Sequence, residues 1–171
     1  MTALAGRMVR AARLDAAVYE EVEADGHATG QALIVILLSG LAAGIGSDSL
    51  RSFAVDSVVA LVGWFLWAFV TYLVGTRLLL QSGTQSNLGE MLRVTGFSAS
   101  PGILRVLGIV RVLNGPIFIL TGLWMLAAMI VAIRQALDYT STPRAIVVAV
   151  VGWLIFFGVG VLAGMVLQPM P

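Results

Sequence analysis

Apolar residues gather into four long stretches that are separated by short polar segments. The four stretches cover residues 31–46, 58–76, 113–133 and 145–167. A transmembrane helix needs about 20 consecutive apolar residues, and each stretch reaches or approaches that length. A fifth apolar stretch, residues 94–110, contains Pro101 and Arg105. The pattern therefore predicts four membrane spans and raises the question of whether the fifth stretch crosses as well.

The placement of arginine decides between four and five spans. With five spans and a cytoplasmic N-terminus, the cytoplasmic segments hold seven arginines and the outer segments two. With four spans, the cytoplasmic segments hold seven and the outer segments three. Because cytoplasmic loops of membrane proteins carry an excess of Lys and Arg, five spans are favoured by a narrow margin. The N-terminus is then cytoplasmic and the C-terminus lies outside.

Residues 1–27 form a charged N-terminal segment that precedes the predicted membrane domain, residues 28–171. On a helical wheel its apolar and basic residues fall on opposite sides. The apolar ones are Leu4, Met8, Ala11, Val18 and Val22, and the basic ones are Arg7, Arg10 and Arg13. This predicts a short amphipathic helix on the cytoplasmic leaflet, with arginines that favour anionic lipid. Asp15 falls on the apolar side and the charges run against the helix dipole, so an unstructured lead-in is the alternative.

Composition agrees with a membrane protein. Hydrophobic residues make up 59% of the chain and charged residues 11%, whereas soluble domains carry about 25% charge. The chain has no cysteine, which excludes disulfides and thiolate sites, and a net charge of +1 gives no case for nucleic acid. We therefore predict an all-α integral membrane protein. Its fold is a bundle of five transmembrane helices with a kinked third span and a short N-terminal amphipathic helix.

Charged residues in and before the fifth stretch are the candidates for binding. Glu90 and Arg93 are three residues apart and would pair on a helix, where they could lock the loop or hold a partner. Pro101 breaks or kinks the helix and frees backbone carbonyls. Arg105 would then face the bundle, paired with Asp56 or with the freed carbonyls. Alternatively, Arg105 snorkels from a short span to the outer headgroups.

Two glycine pairs have the spacing that lets transmembrane helices approach closely. They are Gly40 with Gly44, and Gly160 with Gly164. The pairs would pack helices within one bundle, which is the commoner case in a five-span chain, or between two copies of the chain.

Signs of catalytic or metal chemistry are weak. Residues 96–99, which include Ser98, are similar to the turn of a serine intramembrane protease, but the single histidine, His27, lies before the first span. A nucleophilic serine needs a base within hydrogen-bond reach. His27 with Glu23 and Asp25 lacks the specificity of a metal site. We predict no enzymatic activity, no cofactor and no metal.

The fifth stretch and the loop before it contain a recognisable series of residues: Arg77, Gly83, Glu90, Leu92, Arg93, Gly96, Phe97 and Pro101. This series resembles the pattern of the Yip family, which comprises the Ypt/Rab-interacting membrane proteins and their bacterial relatives. Residues 124–145 are similar to the family's fourth-span exit, and Tyr19-Glu20-Glu21 fits the element before the first span. The resemblance covers roughly residues 14–165 and implies a five-span membrane protein.

The resemblance also implies a function in the membrane. Eukaryotic members of the family bind Rab GTPases and form hetero-oligomers in Golgi and endoplasmic reticulum membranes. Their cytoplasmic N-terminal regions are long, whereas about thirty residues precede the first span here, which weighs against GTPase binding. We predict a non-enzymatic protein of the bacterial inner membrane that organises the membrane or binds a protein partner or itself. A small transporter, channel or lipid-handling protein is the alternative, suggested by the kinked third span with Arg105.

Overall fold

The structure is a computed structural model that describes residues 2–47, 53–79, 84 and 86–167, with side chains for 4–47, 57–79, 84 and 86–158. This part of the chain contains helices and no strand. The α-helices are α1 (Thr2–Ala12), α2 (Ala16–Ala24), α3 (Ala28–Gly46), α4 (Phe53–Leu73), α5 (Leu88–Phe97), α6 (Arg111–Ala136) and α7 (Thr142–Leu167). Helix α4 continues into a π-helical turn, Val74–Leu78, and a 3₁₀-helix, Ser100–Ile109, follows α5. The predicted all-α class is confirmed for these residues.

Three helices are long and apolar enough to cross a membrane. They are Ala28–Gly46, Ser57–Leu78 and Arg111–Ala136, and they match the first, second and fourth predicted spans. The described side chains of α7 cover a shorter apolar helix, Thr142–Gly158. Only 22 to 28% of the most apolar part of each long helix is buried. Such exposed apolar surface is what a helix presents to lipid, because its backbone groups are already hydrogen-bonded internally.

The N-terminal segment is a helical hairpin, so the prediction of one continuous amphipathic helix was wrong. The chain reverses at Leu14, whose φ of 62° lies in the left-handed region. Asp15 then caps α2, its carboxylate accepting a hydrogen bond from the Ala17 N–H at 3.0 Å. An N-cap carboxylate satisfies a helix N–H that has no intrahelical partner. This role explains why Asp15 sits where a continuous helix would place an apolar residue.

Helix α5 and the 3₁₀-helix together run parallel to α3 and pack closely against it. A Cβ added to Gly96 would lie 2.6 Å from the Ala32 Cβ, and one at Gly102 would collide with the Ser39 hydroxyl. The contact surface on α3 repeats every seven residues, at Ala32, Ser39 and Gly46, and the opposing glycines repeat every six. Gly102 and Gly108 lie in the 3₁₀-helix, where six residues make two turns, and seven residues make about two turns of an α-helix. The two faces therefore stay in register from Ser39 to Gly46.

The next two helices alternate in direction. Helix α6 is antiparallel to α5 and the 3₁₀-helix, because Met129 lies beside Ser98 at 3.6 Å and Thr121 lies beside Arg105 at 3.2 Å. Helix α7 is antiparallel to α4, since Trp67 packs edge-on against Phe156 with ring centroids 5.9 Å apart and Gly152 faces Thr71.

The largest buried side chains gather where the N-terminal hairpin meets the bundle. They include Tyr19 of α2, Met91 and Phe97 of α5, and Ile133 and Leu137 near the end of α6, all of them fully buried. Burial of a large apolar side chain stabilises a fold by about 1.5 to 3 kcal/mol. The hairpin is therefore part of the core at this end of the bundle, and it brings charged residues of α1 and α2 next to α5.

Candidate functional site at the helix α2 junction

Glu90 is a helix cap and does not pair with Arg93. The Asn87 side chain accepts a hydrogen bond from the Glu90 N–H at 3.0 Å, and the Glu90 carboxylate accepts one from the Asn87 N–H at 2.9 Å. This reciprocal arrangement is a capping box, which satisfies two N–H groups that the first turn leaves free. The predicted ion pair was therefore wrong. Asn87 followed by Glu90 three positions later is a signal that sequence reasoning could have used.

Arg93 fastens α5 to the end of α2. Its Nε donates to the carbonyl oxygens of Val22 at 2.9 Å and Glu23 at 3.0 Å, and its terminal nitrogen Nη2 also donates to Glu23. The last carbonyls of an α-helix lack intrahelical partners and carry partial negative charge. A guanidinium supplies several donors in a planar fork. Arg93 thus supplies hydrogen-bond donors to carbonyl oxygens at the C-terminus of α2. The residues in contact are about seventy positions apart, so local spacing does not reveal the contact.

Ion pairs join the basic helix α1 to the acidic helix α2. Arg7 contacts Glu21 at 2.8 Å and Asp25 at 2.9 Å, and Arg10 contacts Asp15 at 2.8 Å and Glu21 at 2.6 Å. Hydrogen bonds from the arginines lower the pKa of Glu21 and Asp15 below their usual values. Basic residues followed by acidic residues would oppose the dipole of a single helix. In a hairpin the same order is favourable, because the basic and acidic residues face each other.

Side chains of the bundle reach the hairpin at three further points. Trp124 Nε1 donates to the Ala12 carbonyl at the end of α1 at 2.6 Å. Gln135 Nε2 donates to the Glu20 carboxylate at 2.6 Å, and Arg7 donates to the Gln31 side-chain oxygen at 2.9 Å. The alternative of an unstructured lead-in is excluded for the described hairpin, since both helices are held by buried and hydrogen-bonded groups.

Glu23 is the titratable group at the centre of this junction. Burial raises its pKa from 4.5 to about 7, and the nearby carboxylates of Glu90 and Asp138 add to the effect while Arg93 opposes it. Because the folded pKa is the higher one, the junction binds this proton more tightly than the free chain does. Protonation of Glu23 therefore stabilises the docked hairpin. This stabilisation is fully present below pH 4.5 and is lost as the pH rises through about 7. The lowered pKa values of Glu21 and Asp15 change the stability of the hairpin only at more acidic pH.

The broken segment satisfies its own backbone groups. The Ser98 hydroxyl donates to the Thr95 carbonyl at 2.6 Å, and the Ser100 hydroxyl donates to the Phe97 carbonyl at 2.6 Å. Pro101 is buried and occupies the start of the 3₁₀-helix, a position where its missing N–H costs little. The two serines therefore take up carbonyls at the end of α5, and the hydroxyl of Ser98 is engaged in a structural bond.

Arg105 contacts α6. Its Nε donates to the Thr121 hydroxyl at 3.2 Å, and its guanidinium lies 5.3 Å from the centre of the Phe118 ring. The predicted pairing with freed carbonyls has no counterpart among the described contacts. The side chain of Asp56 lies outside the described residues. Thr121 is fifteen residues, about 22 Å of helix, from Ala136 at the C-terminal end of α6. The snorkelling alternative for Arg105 stays a prediction.

Glycines at close helix contacts in the described residues include Gly96, Gly102 and Gly108. A Cβ at Gly40 would meet nothing within 4 Å, so the described chain does not pack on it, and a contact between copies there stays a prediction. Gly160 and Gly164 lie outside the residues whose side chains are described, and the Gly44 carbonyl accepts a hydrogen bond from the Ser47 hydroxyl at 3.4 Å. Sequence reasoning missed the packing role of Gly96, Gly102 and Gly108, because it looked for a four-residue spacing and they are six residues apart.

Metal-ligating side chains do not cluster in the described part of the chain. No group of three His, Asp or Glu residues is placed to hold a metal ion there. Asp25, one of the three ligands considered, accepts hydrogen bonds from the His27 N–H at 3.0 Å and pairs with Arg7. Both of its carboxylate oxygens are therefore engaged in structural contacts.

Comparison with known proteins identifies the family. The Yip1 domain matches residues 15–163. Because the match covers most of the chain, from α2 into α7, the chain belongs to the Yip1 domain family, whose members are membrane proteins. No match was found among the curated proteins or the solved structures.

Proposed function

We propose that the protein is a non-enzymatic membrane protein of the Yip type that organises the membrane or binds protein partners. In this proposal it crosses the bacterial inner membrane five times, with α1 and α2 in the cytoplasm and the C-terminus outside. Glu90, Arg93 and Pro101 act by holding the hairpin and the broken third span together. Arg105 supports the outer part of that span.

The parallel register of α3 with residues 88–109 supports five spans. Contacts from Ala32 to Gly46 extend over fourteen residues of α3, or about 21 Å, so the broken segment follows α3 through most of a hydrocarbon core about 30 Å thick. Irregular backbone at membrane depth is tolerated where protein covers it. The seven-to-two arginine distribution then orients the cytoplasmic end.

The single observation that carries the proposed role is the docked hairpin. Most of its charged groups are engaged by the bundle or by each other, while its outward face is exposed, with Ala17 and Ala24 among the exposed residues. A folded, rigidly held surface at the membrane is suited to contact a partner, because little conformational entropy is lost on binding. Self-association through the glycine surfaces is the second form that this role can take.

A transporter or channel is the other candidate, and one observation favours it. Discontinuous helices with a proline often line the substrate sites of transporters, and here the break at Pro101 is followed by Arg105. Two observations weigh against transport. The glycines of this segment pack closely on α3, and the serine hydroxyls at the break are hydrogen-bonded to backbone carbonyls, so the interior is filled and its polar groups have partners.

Two experiments on the intact protein separate these functions. Photo-crosslinking residues at Ala17 or Ala24 should yield a discrete adduct in native membranes, whereas the same group at buried Val18 should not. The adduct should weaken in Arg93→Gln, which loosens α2. Proteoliposomes that release ions or small solutes above the level of empty vesicles, with that release lost in Arg105→Leu, would overturn the proposal in favour of transport.

A further inference from the structure

An apolar groove lies beside α1 on the surface of the bundle. It has a volume of about 460 Å³ and is formed by α1, α3, the 3₁₀-helix and α6. Its walls include Met8, Val9, Leu38, Ile103, Leu104 and Trp124. Val9, Leu38 and Leu104 remain 40 to 50% exposed. Because α3 and α6 are lipid-facing helices, the groove opens toward the acyl chains of the surrounding bilayer.

Arg13 lies at the end of this groove, where α1 turns toward α2. Arg7 and Arg10 are engaged by carboxylates of α2, but Arg13 is exposed and makes no ion pair or hydrogen bond with the described side chains. The neighbouring ion pair between Arg10 and Asp15 is also exposed, and exposed charges require water or headgroups. The turn therefore presents an exposed guanidinium beside the apolar groove.

We infer that the groove binds one acyl chain of an anionic phospholipid, with Arg13 contacting the phosphate. A guanidinium matches phosphate through two parallel hydrogen bonds, and the volume is within the range of ligand pockets, about 300 to 1,000 Å³. This inference goes beyond the proposed function, because it assigns a lipid to α1 and holds whether or not α2 binds a partner.

Trp124 provides a reporter inside the groove. In a protein with Trp64, Trp67 and Trp153 replaced by Phe, fluorescence quenching by phospholipids with brominated acyl chains measures occupancy next to Trp124. In mixed detergent micelles we expect phosphatidylglycerol to bind about fivefold more tightly than phosphatidylcholine, the ratio that about 1 kcal/mol per arginine produces. Arg13→Gln should abolish this preference, and Ala5→Phe, which fills the groove, should reduce quenching by both lipids.

A second groove supplies the matched control. It is about 280 Å³ in volume and lies between α6 and α7 beside Trp153, with no charged residue in its lining. A protein that retains only Trp153 should show equal quenching by the two lipids. Native mass spectrometry of the protein with all its tryptophans gives an independent measurement, in which Arg13→Gln should reduce phosphatidylglycerol adducts about fivefold and Arg111→Gln should not.

Three results would overturn the inference. Equal quenching of Trp124 by both lipids would show that Arg13 does not contact the headgroup. If the preference for phosphatidylglycerol survives Arg13→Gln, another cation is responsible for it. Quenching that is unaffected by Ala5→Phe, or that falls as protein concentration rises, would show ordinary surrounding lipid or a second copy of the chain beside Trp124. None of these readouts depends on crosslinking or flux, so this inference and the proposed function can fail separately.

Discussion

Replacing Arg93 should release α2 from the bundle while leaving the bundle folded. The guanidinium donates to two carbonyl oxygens at the C-terminus of α2, those of Val22 and Glu23. Hydrogen bonds from a charged group contribute about 1.5 to 3 kcal/mol each, and a cation at a helix C-terminus about 0.3 to 1 kcal/mol. Glutamine keeps one donor group but not the charge. Arg93→Gln should therefore weaken docking by about 3 kcal/mol, the sum of one such bond and part of the dipole interaction.

Amide hydrogen exchange in detergent measures this change directly. If the amides of Ala16–Ala24 exchange when α2 undocks, their exchange rate follows the opening equilibrium. A loss of about 3 kcal/mol then corresponds to an acceleration of about one hundredfold. Arg93→Lys, which keeps the charge but loses the planar fork, should give an intermediate acceleration. The matched control is Arg111→Gln, which removes an exposed arginine at the far end of the bundle and should leave α2 unchanged.

The reasoning is wrong if Arg93→Gln leaves exchange in α2 at the wild-type rate, since the contact would then contribute nothing to docking. An equal acceleration in Arg111→Gln would also contradict it, because the effect would then come from a loss of charge rather than from the carbonyl contacts. Acceleration throughout α3 and α6 would show that Arg93 stabilises the whole bundle.

Three further predictions concern the junction, the packing and the outer arginine. Exchange in α2 should accelerate as the pH rises from about 5 to 8, after correction for intrinsic exchange, and Glu23→Gln should remove this dependence; a pH dependence that persists would contradict the assignment to Glu23. Gly102→Ala should lower thermal stability by about 1 to 3 kcal/mol through overpacking, while Gly40→Ala should not destabilise; equal losses would refute the packing account. Arg105→Leu and Thr121→Val should couple by about 1 kcal/mol in a double-mutant cycle, and additive losses would exclude the hydrogen bond.

Features that depend on length and apolarity could be predicted from the sequence. The helices that begin at Ala28 and Arg111 follow from uninterrupted apolar stretches, because a span is defined by its length. The break near Pro101 follows from local chemistry, since proline cannot continue the hydrogen-bond pattern of a helix. These features require no knowledge of which elements become neighbours.

The hairpin and its contacts could not be predicted in the same way. Asp15 looked like a misplaced charge on one helix, and only its position after the reversal at Leu14 makes it a cap. Arg93 was assigned to the nearest acid in the sequence, whereas its partners are carbonyls of α2. The packing glycines were missed because they are six residues apart, and apolar periodicity does not distinguish the 3₁₀-helix that holds Gly102 and Gly108 from an α-helix.

The most direct test of the account asks whether residues 88–109 cross the membrane alongside α3. The chain contains no cysteine, so single cysteines can be introduced without a background signal. Gln85→Cys precedes α5 and Arg111→Cys follows the 3₁₀-helix. A membrane-impermeant thiol reagent added to intact cells should label Cys at position 111 but reach position 85 only after the membrane is permeabilised. Labelling of both positions from the same side would contradict the five-span arrangement.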